Sequence, residues 1–197
     1  MSESASDLRR RRTAELIIGC AQDLAEERGL DGFTMDDVAE AAGVSRRTLF
    51  NHVAGKYDAV LGAPPKPNPA RLDEFRTGGP TGHLGDDVKV VIIDLLNAQN
   101  VDPEALDRVR RLIRSDARLQ HEMHKKFAVV AEFFTAAILE REGPDYPALH
   151  AQAAAQVILA VFDLALDAFV QDPTTRLVDY YLAAFDGASA LFARPTS

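Results

Sequence analysis

Apolar residues return at three- and four-residue steps along most of the chain, and nowhere do they alternate strictly with polar ones. The first spacing keeps side chains on one face of an α-helix, whereas strict alternation would mark a strand. Between Leu8 and Arg28 the recurrence runs through Leu16, Ile17, Cys20, Ala21 and Leu24, and Gly29 supplies a stop. Thr34 opens "TMDD", a hydroxyl with an acid three residues on. That is the pattern of an N-cap exchanging hydrogen bonds with the third residue of its helix, and it predicts a short helix from Met35 to Ala42. Gly43 ends that helix, Ser45 caps another reaching about His52, and a fourth starts at Lys56 and runs to Leu61.

The pattern then breaks. Gly62 to Gly85, "GAPPKPNPARLDEFRTGGPTGHLG", is crowded with Pro and Gly, and Pro64 and Pro65 forbid continuing the preceding helix. Only Pro69 to Arg76 suits a short helix, with Pro at its first position. Helical spacing resumes over Asp86–Gln99, Pro103–Ser115, Ala117–Glu142, Tyr146–Val170 and a last segment reaching Phe192. The expectation is an all-α protein of roughly nine helices in two units. A three-helix helix–turn–helix head occupies residues 1–62, a Pro/Gly-rich linker 63–85, and a larger helical domain 86–197.

Composition narrows what such a protein does. Apolar residues make up 47% of the 197, enough for a globular core. With 30 acidic residues against 22 Lys and Arg, the net charge of −8 excludes a uniformly basic nucleic-acid coat. Any contact with nucleic acid must come from a focused patch. Cys20 is the single cysteine, so neither an internal disulfide nor a Cys-based zinc site is possible; this suits the cytoplasm, and Cys20 reads as a small core residue. The polar, then charged, N-terminus lacks the apolar stretch of a signal peptide. No uninterrupted apolar run reaches the ~18 residues of a membrane helix, so no membrane partner is expected. Nor is an enzyme: no nucleophile–base set or phosphate loop stands out. His121 and His124 flank Glu122, but "HEMH" lacks the H-E-x-x-H spacing and a convincing third ligand, so no metal and no catalytic residue are expected.

The focused patch is found in "GVSRRTLFNHVAGK", Gly43 to Lys56. A helix–turn–helix needs a small residue where its helices touch, a residue tolerant of positive φ in the turn, and an apolar anchor on the second helix. Ala39, Gly43 and Leu49 fill these places, with Val38, Val44 and Val53 as further core contacts. The outward face of the second helix then offers Arg46, Arg47, Thr48, Phe50, Asn51 and His52. Arg bonds guanine O6 and N7, Asn pairs with adenine, and an aromatic ring or Thr methyl meets the thymine methyl.

With these residues in place, "GFTMDDVAEAAGVSRRTLFNHVAGKYDAVL", Gly32 to Leu61, resembles the DNA-binding head of the TetR (tetracycline repressor) family. The resemblance covers the N-terminal ~60 residues, and beyond them only length and helical character agree. It implies a homodimeric, sequence-specific regulator of transcription, a repressor on double-stranded operator DNA; the alternatives are a regulator without effector response, or an all-helical ligand carrier or enzyme with an incidental helix–turn–helix. Ser45 to His52 would be the recognition helix, with Ser45, Arg46, Arg47 and Thr48 at its groove-facing end and Phe50, Asn51 and His52 completing the surface. Lys56 would hold a backbone phosphate and Thr34 a second. Arg9, Arg10, Arg11 and Arg12 would form a basic arm ahead of the first helix, with Asp36, Asp37 and the other acids of the head off the reading surface.

The larger domain would bind a small effector and form the dimer, with no cofactor beyond that unknown small molecule. Val91, Leu95, Leu112, Phe127, Phe133, Phe134, Val161 and Phe162 are the candidate lining, which suits an apolar or amphipathic effector. Leu177, Tyr181, Phe185 and Ala188 on the last helix are the candidate dimer interface. Because Pro and Gly cut the fourth helix short, the effector signal is expected to cross from the Asp86–Gln99 helix to the first helix, and a linker insertion near Gly78 is expected to be tolerated.

Overall fold

The computed structural model describes residues 5–99 and 101–192. Among them ten helices and no strand follow one another: α1 (Ala5–Arg28), α2 (Met35–Ala41), α3 (Arg46–His52), α4 (Lys56–Leu61), α5 (Pro69–Arg76), α6 (Leu84–Asn97), α7 (Pro103–Ser115), α8 (Ala117–Glu142), α9 (Ala148–Gln171) and α10 (Leu177–Phe192). They form two compact units that do not follow chain order. The first takes the chain as far as Ala63 and adds Glu104–His124; the second takes Pro64–Pro103 and the chain from Lys125 onward. This division differs from the one composition suggested. The segment read as linker holds α5, which buries Leu72 and Phe75 in the second unit, while most of α7 and the start of α8 join the head.

In the first unit, small residues let the short helices meet. Ile17, Ala21 and Leu24 of α1, Val38 and Ala39 of α2, Leu49 of α3, and Ala59 and Val60 of α4 share one core, and Leu112 of α7 and Leu119 of α8 complete it. Gly43 takes φ +62° in the turn between α2 and α3, the left-handed region a Cβ disfavours. Buried Gln22 donates from Nε2 to the Val60 carbonyl at 2.9 Å, satisfying an acceptor near the end of α4, and Gly62 at φ +71° stops that helix. Ion pairs also tie α7 and the start of α8 to α1 and the turn after it. Arg108 reaches Asp23 and Glu26, Arg111 reaches Glu26 at 3.1 Å, and Arg118 reaches Asp31 at 2.8 Å. Within this unit α1 leans on α7 and the start of α8.

The second unit is organised around one buried ion pair. Asp87 on α6 is 0% exposed and Arg141 near the end of α8 has a side chain 3% exposed, their charged atoms 2.6 Å apart. Arg141 also donates to the carbonyls of Phe75 at 2.7 Å, Gly78 at 3.2 Å and Gly79 at 3.3 Å, and its guanidinium lies over the Phe75 ring. Asp87 accepts from the Thr81 amide and hydroxyl, both at 2.7 Å, and from the Gly82 amide at 3.2 Å. Pro/Gly backbone that makes no regular ladder of its own thus finds its partners on two side chains. Gly78 is thus itself one of the carbonyls that Arg141 holds.

Candidate nucleic-acid interface

Two caps set the orientation of the head's polar side chains. Thr34 and Asp37 form a full capping box: the Asp37 amide donates to Thr34 Oγ1 at 3.2 Å, and the Thr34 amide donates to Asp37 Oδ2 at 2.6 Å. The Thr34 hydroxyl also donates to that carboxylate, at 2.8 Å, and these hydrogen bonds hold the Asp37 carboxyl below its ordinary range. A hydroxyl committed to a carboxylate is a poor phosphate ligand, so the structure gives Thr34 the cap role. Ser45 caps α3 by accepting from the Thr48 amide at 3.1 Å, and its Oγ lies 2.8 Å from the Thr48 hydroxyl. Ser45 and Thr48 therefore fix the start of α3, leaving the Thr48 methyl as its apolar contact surface.

Leu49 anchors α3 in the core, which turns Arg46, Arg47, Phe50 and Asn51 outward; Thr48 and His52 are half-buried. Arg47 and Asn51 have no hydrogen-bond or ionic partner among the described residues. Arg46 is held. Its Nη1 donates to both oxygens of Asp36, at 2.9 and 2.8 Å, and its guanidinium carbon sits 5.6 Å from the Phe50 ring centroid. Asp36 was expected off the reading surface; the first turn of α2 instead places it beside the start of α3.

Lys56 differs more sharply from expectation. Its Nζ donates to the Leu30 carbonyl at 2.6 Å and to the Phe33 carbonyl, and it lies 4.4 Å from the Phe33 ring centroid. Two of its three donors tie the α1–α2 turn to the start of α4, so the side chain shapes the head and keeps one donor beyond these two contacts. Arg9 to Arg12 lie inside α1 and not ahead of it. Consecutive helical residues point about 100° apart, so the four cannot form a single arm or face. Arg11 pairs with Glu15 at 3.8 Å.

The candidate effector residues do not converge. A narrow, closed crevice lined by Leu72, Phe75, Val88, Val91 and Phe134 contains two of them. Leu112 belongs to the head's core. Leu95 and Val161 are packed in the second unit, and Phe127 and Phe162 are half-buried. Phe133 is exposed and meets Phe134 edge-on, with ring centroids 5.6 Å apart. Leu72, Phe75 and Val88 were missed because they lie in or beside the stretch read as linker.

The candidate dimer residues also divide. Leu177 and Tyr181 are 7% and 0% exposed, so they close the chain's own core and are unavailable to a partner. Phe185 and Ala188 are half-buried. Among the large apolar side chains that α9 leaves outside are Leu149, near its start, and Val157 and Leu164, 44% and 60% exposed, the latter two in line with exposed Ala153 and Ala160. On α10, which packs against α9, Ala183, Gly187 and Ala190 are exposed. α9 is also long and apolar enough to cross a bilayer by length and composition, with mean hydropathy 1.9. Gln152, Gln156, Asp163 and Asp167 interrupt its apolar sequence, so no uninterrupted run marks it. One such helix is weak grounds for a membrane location, since a helix packed in a protein meets the same criterion. Among the described residues no group of three or more His, Cys, Asp or Glu is placed to hold a metal ion, and His121 and His124 are exposed.

Residues 17–60 match the family model of bacterial regulatory proteins, tetR family. No curated protein matches the chain. The fold is similar to that of native NalD, the secondary repressor of the MexAB-OprM multidrug efflux pump in Pseudomonas aeruginosa, with a TM-score of 0.54 at 16% identity, covering 95% of this chain and 100% of NalD. Two further solved structures score lower. SmeT in complex with triclosan has a TM-score of 0.48 at 19% identity, covering 93% of each chain. A transcriptional regulator from Rhodococcus sp. Rha1 has 0.47 at 19% identity, covering 90% of this chain and 94% of that one. At these identities the likeness speaks to the fold alone.

Proposed function

Starting from a chain that carries the DNA-binding head of the tetR family of transcriptional regulators, we propose that it works as a homodimeric repressor in the cytoplasm, on a near-palindromic double-stranded operator. The observation that carries this reading is the outward set on α3. A helix capped by Ser45 and anchored by Leu49 presents Arg47 and Asn51 without protein partners, beside Arg46 and Phe50. Arg and Asn are the side chains that bond base edges bidentately in the major groove. The acids of the chain limit binding elsewhere, so affinity rests on this one face.

Dimerisation falls to the outward faces of α9 and α10, where Val157, Leu164 and a row of small residues allow close approach by the same face of a second copy. The effector is a small apolar or amphipathic molecule that binds within the second unit. An effector entering the closed Val91–Phe134 crevice would select an opened minor state, and its apparent affinity would fall by the population of that state. The same closed crevice favours a second reading: a regulator with no effector response at all. Thermal melts across a panel of amphipathic aromatics separate the two, because a ligand of the folded state raises the midpoint. The main reading is tested by gel retardation on the DNA upstream of the chain's own gene. Wild type should retard it against excess unrelated duplex, and Arg47→Ala should lose about 1–3 kcal/mol of specific binding. Equal retardation by both proteins would contradict the assignment.

A further inference from the structure

We propose that Asp36, on α2, is a specificity-determining residue of the DNA-reading face: it positions Arg46 to read one guanine in each half-site. The inference rests on the DNA-binding reading above. An arginine side chain has two forks, an end-on one made of both Nη atoms and a side-on one made of Nε and Nη2. Asp36 takes only Nη1, with both carboxylate oxygens at 2.9 and 2.8 Å. The side-on fork has no partner among the described residues, and a planar pair of N–H donors is what guanine O6 and N7 accept. Phe50 lies against the guanidinium at 5.6 Å, so the group is held at one edge and on one face. Ser45 and Leu49 in turn fix the helix that carries it.

A free arginine loses rotamer freedom when it docks in a groove; one already held by a carboxylate and a ring loses less. The carboxylate has a second effect. Its side chain is 65% exposed beside the face that meets DNA, so it repels phosphate wherever Arg46 finds no guanine to offset that cost. Asp36 thus strengthens the right sequence and weakens the rest. A carboxylate that only repelled DNA would have no reason to sit with both oxygens on the one nitrogen that leaves the reading fork intact.

The test uses the full chain and a pool of duplexes with a randomised core, selected by wild type, Asp36→Asn, Asp36→Glu and Arg46→Ala, with affinities then measured for all four base pairs at each position and for a scrambled duplex. Wild type should select a site with a guanine in each half whose preference over other bases is about 10-fold or more. That preference should collapse at the same position in Asp36→Asn and in Arg46→Ala, leave other positions unchanged, and be partly restored in Asp36→Glu. Affinity of Asp36→Asn for the scrambled duplex should rise. Because the pair is exposed, its melting midpoint should stay at the wild-type value, which separates positioning from folding. If Asp36→Asn keeps the full guanine preference, or gains the same factor on every sequence, Asp36 only repels and this inference is overturned while the DNA-binding reading stands. If wild type enriches no sequence at all, the DNA-binding reading fails and takes this inference with it.

Discussion

In the head, irregular backbone is held mostly by partners close at hand: Thr34 and Asp37 bond each other across one turn and Ser45 bonds the Thr48 amide, while Lys56 reaches back 26 and 23 positions to two carbonyls of the α1–α2 turn. In the second unit the comparable stretch around Gly78 to Gly82 is held by Asp87 and Arg141, 54 positions apart on α6 and α8. The two solutions distribute free energy differently. Each local device in the head contributes little alone, and losing one leaves the others. A buried ion pair concentrates its effect, since removing one partner strands the other charge and several backbone groups away from water. Such an arrangement suits a head that must keep a fixed reading face and a second unit whose Pro/Gly-rich segment has little regular structure to hold it.

The comparison breaks first at Arg141. Arg141→Ala should cost about 3–5 kcal/mol, because it leaves the Asp87 charge buried without its partner. Urea unfolding measures this, and a loss below about 1 kcal/mol would show that water or rearrangement replaces the guanidinium easily. Acid should act on the same contact. Burial pushes the Asp87 carboxyl up, but hydrogen bonds from Thr81 and Arg141 outweigh it and hold the group below its ordinary range. A carboxyl depressed in the folded state contributes stability above its unfolded value, about 3.9. That contribution is lost as pH falls through the lower folded value. The melting midpoint of wild type should therefore drop below about pH 4 more steeply than that of Asp87→Asn, which starts lower and lacks the titrating group; parallel curves would contradict the assignment.

Lys56→Met comes next. It leaves the Leu30 and Phe33 carbonyls short of a donor and should cost about 1–3 kcal/mol. The salt dependence of DNA binding, which counts phosphate contacts, should stay close to wild type. A flatter salt slope with unchanged stability would return Lys56 to the phosphate role. The smallest expected effect is Thr34→Ala, about 1 kcal/mol of stability for a lost cap. A change in DNA affinity larger than the change in stability would mean that the hydroxyl also touches DNA.

The same difference explains what was legible in sequence. The head's helices, the positive-φ turn at Gly43 and the anchor Leu49 announce themselves by spacing, because local geometry demands those residue types at those separations. Side-chain partners did not. Nothing local tells that Asp36 meets Arg46 ten positions on, or that Lys56 turns inward. Arg9 to Arg12 looked like an arm because four like charges mask a helix start that begins at Ala5. In the second unit α6, the rest of α8, α9 and α10 followed from periodicity, yet Asp87 and Arg141 carry no local signal, and so a clamped segment read as a linker. The last helix showed its apolar stripe plainly, but a stripe does not say which neighbour covers it. Leu177 and Tyr181 turned inward, while α9 left Val157 and Leu164 outside.

The central claim is that two copies of the chain read DNA together through their α3 helices. The mass of the protein–DNA complex, measured on a selected duplex for wild type and Leu164→Glu, tests it most directly. Wild type should give two chains per duplex, on a near-palindrome whose half-site centres lie about 10 base pairs or a multiple apart. Leu164→Glu should fold, since that side chain is 60% exposed, yet give monomers that bind the same duplex far more weakly. One wild-type chain per duplex at full affinity, or a Leu164→Glu protein that still binds as a pair, would contradict the account.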